Sequence, residues 1–225
     1  MGRTAEPADV RDEFGMPVIP EAVNVSQRKR ETIVEAAAAE FLRQGYAAAS
    51  VDAIAAGAGV SKPTIYKHFG NKERLFLAVV GGILPKVYAD LCPHQSTIAD
   101  APDLRVALIE LSMDWARILL RDDIMALRRL VIGEVDRFPQ LGRLWYRVSY
   151  DMNNGPLVEA FAELHERGVL DVPDPVLAVQ QLVAVSIGVP QLMKTFQPDT
   201  EFREDDLARM IAGGVDTFLA RYARA

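Results

Sequence analysis

Hydroxyl, basic and aromatic side chains are concentrated between Ser50 and Phe69, in the stretch SVDAIAAGAGVSKPTIYKHF. Lysine side chains neutralise phosphates, and hydroxyl groups bind phosphate oxygens or the edges of bases. No His/Cys spacing of a zinc site and no G-x-S-x-G, Walker or H-E-x-x-H motif occurs in the chain. The residue types of this stretch therefore suit nucleic acid binding better than catalysis or metal binding.

Two short helices with a glycine between them carry these side chains. Val51, Ile54, Ala55 and Ala58 recur at the spacing of one helical face. Gly59 follows them, and glycine is the residue that enters a left-handed turn without steric cost. The pattern predicts a helix that ends in a tight turn.

The second short helix begins two residues after this turn. Ser61 can cap it by accepting a backbone N–H, and Pro63 lies in the first turn, where its missing donor is not needed. Ile65 and Phe69 are predicted to face inward, which leaves an outward face of Lys62, Thr64, Tyr66, Lys67 and His68. This is the pattern of a helix-turn-helix whose second helix enters a DNA groove.

With its flanks, the stretch resembles the N-terminal signature of the tetracycline-repressor (TetR) family of bacterial transcription regulators. That signature has F-x-x-x-G-[YF], followed by T/S-V-x-x-I-A-x-x-A-G-V-S-x-x-T-[LI]-Y-x-[HY]-F-x-x-K-E-x-L. The resemblance covers about residues 28–78. The matching residues are Phe41, Gly45, Tyr46, Ser50, Val51, Ile54, Ala55, Ala58, Gly59, Val60, Ser61, Thr64, Ile65, Tyr66, His68, Phe69, Lys72, Glu73 and Leu75.

Together with helical periodicity after residue 101, the resemblance implies an all-α fold of about nine helices. A three-helix head with the helix-turn-helix would precede a helical body for ligand binding and dimerisation. We predict a disordered arm over residues 1–25, a DNA-binding head over 26–72 and the body over 73–225. The arm is assigned on its three prolines, its scattered charge and its lack of periodicity.

Nine residues are predicted to contact DNA. Lys62 and Thr64 are candidates for base edges, whereas Tyr66, Lys67 and His68 are better placed for phosphates. Ser50 can bind a phosphate with its hydroxyl and the N-terminus of its helix. The resemblance implies the same phosphate role for Tyr66 and for Lys72. The full set is Ser50, Ser61, Lys62, Pro63, Thr64, Tyr66, Lys67, His68 and Lys72. His68 has the alternative of being an ordinary surface histidine, and the run Arg28-Lys29-Arg30 either reaches the DNA backbone or is simply solvated.

The charge distribution fits a basic head on an acidic body. The 225 residues carry a net charge of −6, yet residues 24–72 contain seven basic and four acidic residues. Local cations decide how many counterions a protein releases from DNA, so the acidic total does not argue against binding.

The rest of the composition indicates a soluble cytoplasmic protein without cofactor or metal. Cys92 is the single cysteine, which excludes an intrachain disulfide. We find no apolar run of the roughly 20 residues that span a bilayer, and no secretory signal. Membrane binding and enzymatic activity are therefore not expected.

The last two helices of the body, about residues 175–196 and 205–223, are predicted to form a four-helix dimer interface with a second copy. The first of them is apolar on more than one face, and Ala184 and Gly188 are small residues at a spacing of four. A two-fold axis in the protein predicts a palindromic operator.

Seven large side chains of the body are candidates for an effector pocket: Trp115, Met125, Trp145, Tyr150, Met152, Phe161 and Met193. For each of them an ordinary core position is the alternative, and it is the family resemblance that supports the pocket. The cluster Gly81-Gly82-Pro85 has two interpretations as well, static close packing or a hinge between body and head.

The sequence thus predicts a homodimeric regulator, a repressor that a small, mostly apolar molecule releases from its operator. Alternatives are a regulator that activates or needs no effector, an architectural nucleoid protein, and a helical small-molecule-binding protein or enzyme with a vestigial head.

Overall fold

The computed structural model describes residues 16, 25–89, 95–152 and 154–224, and these residues form ten α-helices. A 3-10 turn, Gln95–Asp100, precedes α5, and a π-helical turn, Arg147–Met152, follows α7. The helices are α1 Val25–Ala48, α2 Val51–Gly57, α3 Lys62–Phe69, α4 Lys72–Ala89, α5 Leu104–Leu119, α6 Asp122–Glu134, α7 Pro139–Tyr146, α8 Gly155–Glu166, α9 Pro175–Phe196 and α10 Glu204–Tyr222.

The all-α fold is confirmed, with one helix more than the nine expected. Most of the predicted arm and the stretch that holds Cys92 lie outside the described residues.

The chain divides into two compact units. Unit 1 consists of Met1–Pro85 and Leu130–Trp145, and unit 2 consists of Lys86–Arg129 and Tyr146–Ala225. Unit 1 therefore contains, besides the predicted head, much of α4, the end of α6 and most of α7. The end of the DNA-binding head at residue 72 is a functional boundary, which differs from the boundary of unit 1 and stays a prediction.

The turns of the head follow from its residue types. Gly45 and Gly59 have φ angles of 74° and 63°, the left-handed region that glycine enters without strain. Ser50 accepts a hydrogen bond from the backbone N–H of Ala53, and Ser61 accepts one from Thr64. Both serines are therefore N-caps, as the sequence predicts for Ser61.

Four aromatic rings form the core of unit 1 and explain why residues 130–145 belong to it. Tyr46 lies 4.9 Å from Phe76 and 4.9 Å from Phe138, centroid to centroid, and Phe41 lies 5.0 Å from Phe76. All four side chains are buried. Because offset and edge-to-face ring pairs add to the free energy gained by burial, this cluster holds the turn before α7 against α1 and α4.

The Gly81-Gly82-Pro85 cluster does not end α4, which runs on to Ala89 with Pro85 inside it. A Cβ atom on Gly81 would lie 3.0 Å from Cε of Met16, whereas one on Gly82 would meet no atom within 4 Å. Close packing therefore accounts for Gly81 and not for Gly82. A hinge at this cluster stays a prediction.

In unit 2, α9 and α10 pack at backbone contact. A Cβ atom on Gly214 would overlap the carbonyl oxygen of Val185 and lie 2.7 Å from Cα of Ser186. By contrast, Gly188, which the sequence analysis singled out for close approach, has nothing within 4 Å of the equivalent position in its own chain. The glycine that brings these two helices together is thus on α10.

The expectation that no apolar stretch reaches membrane-spanning length was wrong for α9. This helix has 22 residues and a mean hydropathy of 1.6 over its most apolar window, so length and composition alone would allow it to cross a membrane. A third of that window is nevertheless buried within the molecule, and Lys194 near its end pairs with Asp122 at 2.8 Å. Packing against α10 explains part of its apolar surface.

Candidate DNA-binding surface

Two buried side chains hold α3 in place and leave its other faces outward. Ile65 and Phe69 are buried, Tyr66 and Lys67 are exposed, and His68 is half-buried. The predicted inward and outward faces of the helix are therefore confirmed. An outward row of cations, hydroxyls and one tyrosine is what a helix in the major groove presents to bases and phosphates.

The start of α3 holds its polar groups in defined contacts. Nζ of Lys62 lies 2.9 Å from a carboxylate oxygen of Asp52 on α2, and this hydrogen bond raises the pKa of Lys62. The hydroxyls of Ser61 and Thr64 are 2.8 Å apart, so one donates to the other. Lys62 is consequently charged and held by Asp52, and the predicted contact with a base or a phosphate would require it to leave this carboxylate.

Cations of α1 lie next to the end of α3. The guanidinium of Arg30 is 5.4 Å from the centroid of the Phe69 ring, while Arg28 and Lys29 are exposed. Burial lowers the pKa of His68, and Arg30, Lys67 and Lys29 lower it further. The basic run of α1 and the end of α3 therefore form one positive region, which the sequence could not establish.

We expect DNA affinity to rise as the pH falls below about 7, because protonation gives the His68 imidazole a positive charge that a phosphate attracts. In the free protein its pKa lies below the ordinary 6.5, so the ring is neutral near pH 7. A neighbouring phosphate favours the charged form, so binding takes up a proton and acid strengthens it, by about threefold per head. Titration of the dissociation constant against pH, for the wild type and for His68→Gln, measures this effect. A pH dependence that persists unchanged in the glutamine variant would show that another group is responsible.

Ser50 and the turn before α2 depend on a residue that the sequence analysis missed. The backbone N–H of Ser50 donates to Oε1 of Glu40 at 3.1 Å, and this bond, with the side-chain hydrogen bond from Arg43, lowers the pKa of the buried Glu40. Its signal in the sequence is a lone carboxylate on an otherwise apolar stretch of α1. Glu40 therefore fixes the turn that presents the Ser50 hydroxyl.

Lys72 is anchored at the first residue of α4. Its Nζ donates to the carbonyl oxygen of Ala47 at 3.1 Å and lies 4.8 Å from the centroid of the Tyr46 ring. Burial lowers the pKa of Lys72, and the repulsion of Arg137 lowers it further. All nine predicted DNA contacts thus belong to unit 1, on or beside α2, α3 and the start of α4.

The seven effector candidates are not brought together in the same way. In unit 2, Trp115, Met125 and Phe161 are buried, whereas Met193 is exposed. Trp145 belongs to unit 1, and the side chains of Tyr150 and Met152 lie outside the described ones. A cleft of about 500 Å³ in unit 2 lies between the 3-10 turn and α5, and none of the five candidates whose side chains are described lines it. Its lining includes Thr97, Glu110, Met113, Asp114 and Arg117.

Comparisons with known proteins cover both parts of the chain. Residues 33–79 match the family model described as bacterial regulatory proteins, tetR family. Residues 106–224 match the model of the AefR-like transcriptional repressor, C-terminal domain.

Two solved structures resemble this one over most of its length. A TetR-family transcriptional regulator from Mesorhizobium loti is 32% identical, with a TM-score of 0.80 over 89% of this chain and 100% of that one. The flavonoid-responsive regulator FrrA is 29% identical, with a TM-score of 0.71 over 88% of this chain and 100% of that one.

Two curated regulators are similar to this chain over a short region. The transcriptional activator FasR of Mycolicibacterium smegmatis is 48% identical over 52 residues, which are 23% of this chain and 24% of FasR. The transcriptional repressor SCO4008 of Streptomyces coelicolor is 52% identical over 48 residues, which are 21% of this chain and 25% of that protein. The chain thus spans about a quarter of each of these relatives.

The outward face of α3, the match of more than half of the chain to one family model and the full-length similarity to the Mesorhizobium structure lead to the same assignment. The chain belongs to the TetR family of bacterial transcription regulators and is a DNA-binding regulator of transcription.

Proposed function

We propose that this regulator is a homodimeric, cytoplasmic repressor without enzymatic activity, which binds a palindromic operator and leaves it when a small, mostly apolar effector binds to the body. The observation that carries the proposal is α3. Its buried Ile65 and Phe69 fix a helix whose outward side chains are cations, hydroxyls and Tyr66.

A row of exposed apolar side chains on α9 supports the dimer. Val185, Val189, Leu192 and Phe196 recur at three- and four-residue spacing and are all solvent-exposed in the single chain, Phe196 to 77%. Such spacing places them on one face of the helix. Gly188 borders this face, and Ala184, one turn before it, is exposed beside it. Small residues there allow a second helix to approach. A second copy is the partner that this face fits, because a symmetric pair of α9 helices is self-complementary.

Two observations, neither of which involves α9, support the binding of an effector to the body. Trp115, Met125 and Phe161 provide large adaptable side chains in the interior of unit 2, which are typical of apolar ligand sites. The related regulator FrrA is flavonoid-responsive by name. By linkage, an effector that weakens operator binding must itself bind more weakly to the operator complex, by the same factor.

Repression is proposed over activation on the match of the body to a repressor's C-terminal domain. The short matches to one activator and one repressor are confined to a region of about 50 residues and do not decide between the two. An architectural DNA-binding protein is the second candidate function, and equal affinity for all duplexes would favour it.

We expect Tyr66→Ala to lower the affinity for the operator about tenfold or more, since each dimer loses two phosphate contacts. The operator is first selected from a random pool of duplexes with the wild-type protein, and affinity is then measured by fluorescence anisotropy. Tyr146→Ala is the matched control, because Tyr146 is a tyrosine of similar exposure outside the head. An enriched palindrome, with a salt dependence of log K near −7 for about eight phosphate contacts, supports the proposal. Enrichment of no sequence would contradict it.

A further inference from the structure

Two cations share one aromatic ring in unit 1. The guanidinium carbon of Arg137, in the turn between α6 and α7, lies 4.6 Å from the centroid of the Tyr46 ring. Nζ of Lys72 lies 4.8 Å from the same centroid. Arg137 is about 65 positions from Lys72 and about 90 from Tyr46 in the chain, so only the fold brings both cations to the same ring.

Packing fixes the turn that carries Arg137. The neighbouring Phe138 is buried and meets Tyr46 edge-on at 4.9 Å. The Arg137 guanidinium is also 5.4 Å from the Phe138 ring. Arg137 nevertheless remains exposed, so its charge faces solvent while its side chain is held against the two rings. Stacking of arginine on aromatic rings leaves its N–H groups available at the ring edge.

The two cations border the surface that is proposed to bind DNA. Lys72 donates to the carbonyl oxygen of Ala47, three residues before Ser50, and Ser50 is the N-cap of α2. Arg137 therefore lies beside the connection between α1 and α2, next to Lys72, which is one of the residues assigned to a phosphate. None of the nine predicted DNA contacts lies within residues 130–145.

No carboxylate within the described part of the chain forms an ion pair of 4.0 Å or less with Lys72 or Arg137. Glu134 and Glu40 attract Lys72 from a greater distance, while Arg137 repels it and thereby adds to the lowering of the Lys72 pKa that burial causes. An anion that contacts both cations reduces the repulsion between them. A phosphate diester has the charge and the acceptor oxygens for this, and arginine can bind it with two N–H groups.

We propose that Arg137 is a further DNA-binding residue, which contacts the operator backbone together with Lys72. The inference rests on the proposed function and extends the DNA-binding surface from the head to the turn before α7. In the dimer it adds one phosphate contact on each side, outside the helix-turn-helix.

The test compares Arg137→Met with the wild type on the selected palindromic duplex over a series of salt concentrations. Methionine keeps the aliphatic packing against Tyr46 and Phe138 but removes the charge. Two lost phosphate contacts per dimer reduce the salt slope by about 1.8, which corresponds to about a 60-fold loss of affinity at 0.1 M salt relative to 1 M salt. Arg137→Lys should restore most of the slope.

Arg143→Met is the matched control, because Arg143 is an exposed arginine on α7 in the same unit. Its slope should equal that of the wild type. If Arg137→Met lowers affinity without changing the slope and lysine fails to rescue it, Arg137 is only a packing residue and the inference is overturned. Equal slopes for the two methionine variants overturn it as well. Failure of the wild type to prefer any duplex would instead refute the proposed function, and the inference with it.

Discussion

Val189→Asp should turn the dimer into a monomer and lower operator affinity at least 100-fold. Val189 is 55% exposed in the single chain and lies in the middle of the apolar face of α9. Burying an unpaired carboxylate against a symmetry-related copy is unfavourable, and the two aspartates of the dimer would also repel each other. A monomer loses the gain of about 10²–10⁴ that comes from linking two binding modules. Sedimentation velocity and anisotropy titrations on the same samples measure both effects.

Val176→Asp is the control for this experiment. Val176 is also a valine of α9 and is 53% exposed, but it lies roughly on the opposite side of the helix, because 13 residues correspond to about 220° of rotation. Aspartate is also compatible with the first turn of a helix, where Val176 lies. This variant should remain a dimer with wild-type affinity. If both variants stay dimeric, or both dissociate, the exposed face centred on Val189 is not the dimer interface.

Gly214→Ala should lower the free energy of unfolding by about 3 kcal/mol, the upper part of the range for overpacked cores. The added methyl group would overlap the carbonyl oxygen of Val185 and approach Cα of Ser186 to 2.7 Å. These are backbone atoms, so α9 and α10 must move apart rather than a side chain turning away. For a chain of this size the loss corresponds to a decrease in Tm of about 6–12 °C, measurable by thermal denaturation followed by circular dichroism.

The adjacent Gly213 provides the control. A Cβ atom there meets nothing within 4 Å, and alanine is about 1 kcal/mol more favourable than glycine inside a helix. Gly213→Ala should therefore leave Tm unchanged or raise it by a few degrees. Equal destabilisation by both substitutions would mean that the close approach of α9 and α10 is not specific to Gly214.

The local structure of the head could be predicted because its determinants are neighbours in the chain. Gly59 requires its left-handed turn, Ser61 caps the helix that begins beside it, and Ile65 and Phe69 share a face by spacing alone. In each case the interacting groups are within five residues of each other, so no knowledge of the tertiary structure is needed. The predicted arm over residues 1–25 and the stretch with Cys92 stay predictions, since they lie largely outside the described residues.

The effector site could not be predicted in the same way. Core positions and apolar ligand sites both favour large side chains such as Trp115 and Phe161, so residue type does not distinguish them. Burial places these two and Met125 in the interior of unit 2, while Met193 is exposed near the end of α9. The seven candidates therefore stay a prediction.

The sequence by itself determined the family, the all-α fold and the outward face of α3, because helical periodicity and capping are properties of short stretches. The tertiary structure alone decided that Arg137 and Lys72 share the Tyr46 ring, and that Gly214 rather than Gly188 sets the distance between α9 and α10. Both are contacts between residues far apart in the chain. Which distant residues meet depends on how the helices pack, and a periodic pattern specifies only which face of each helix is buried.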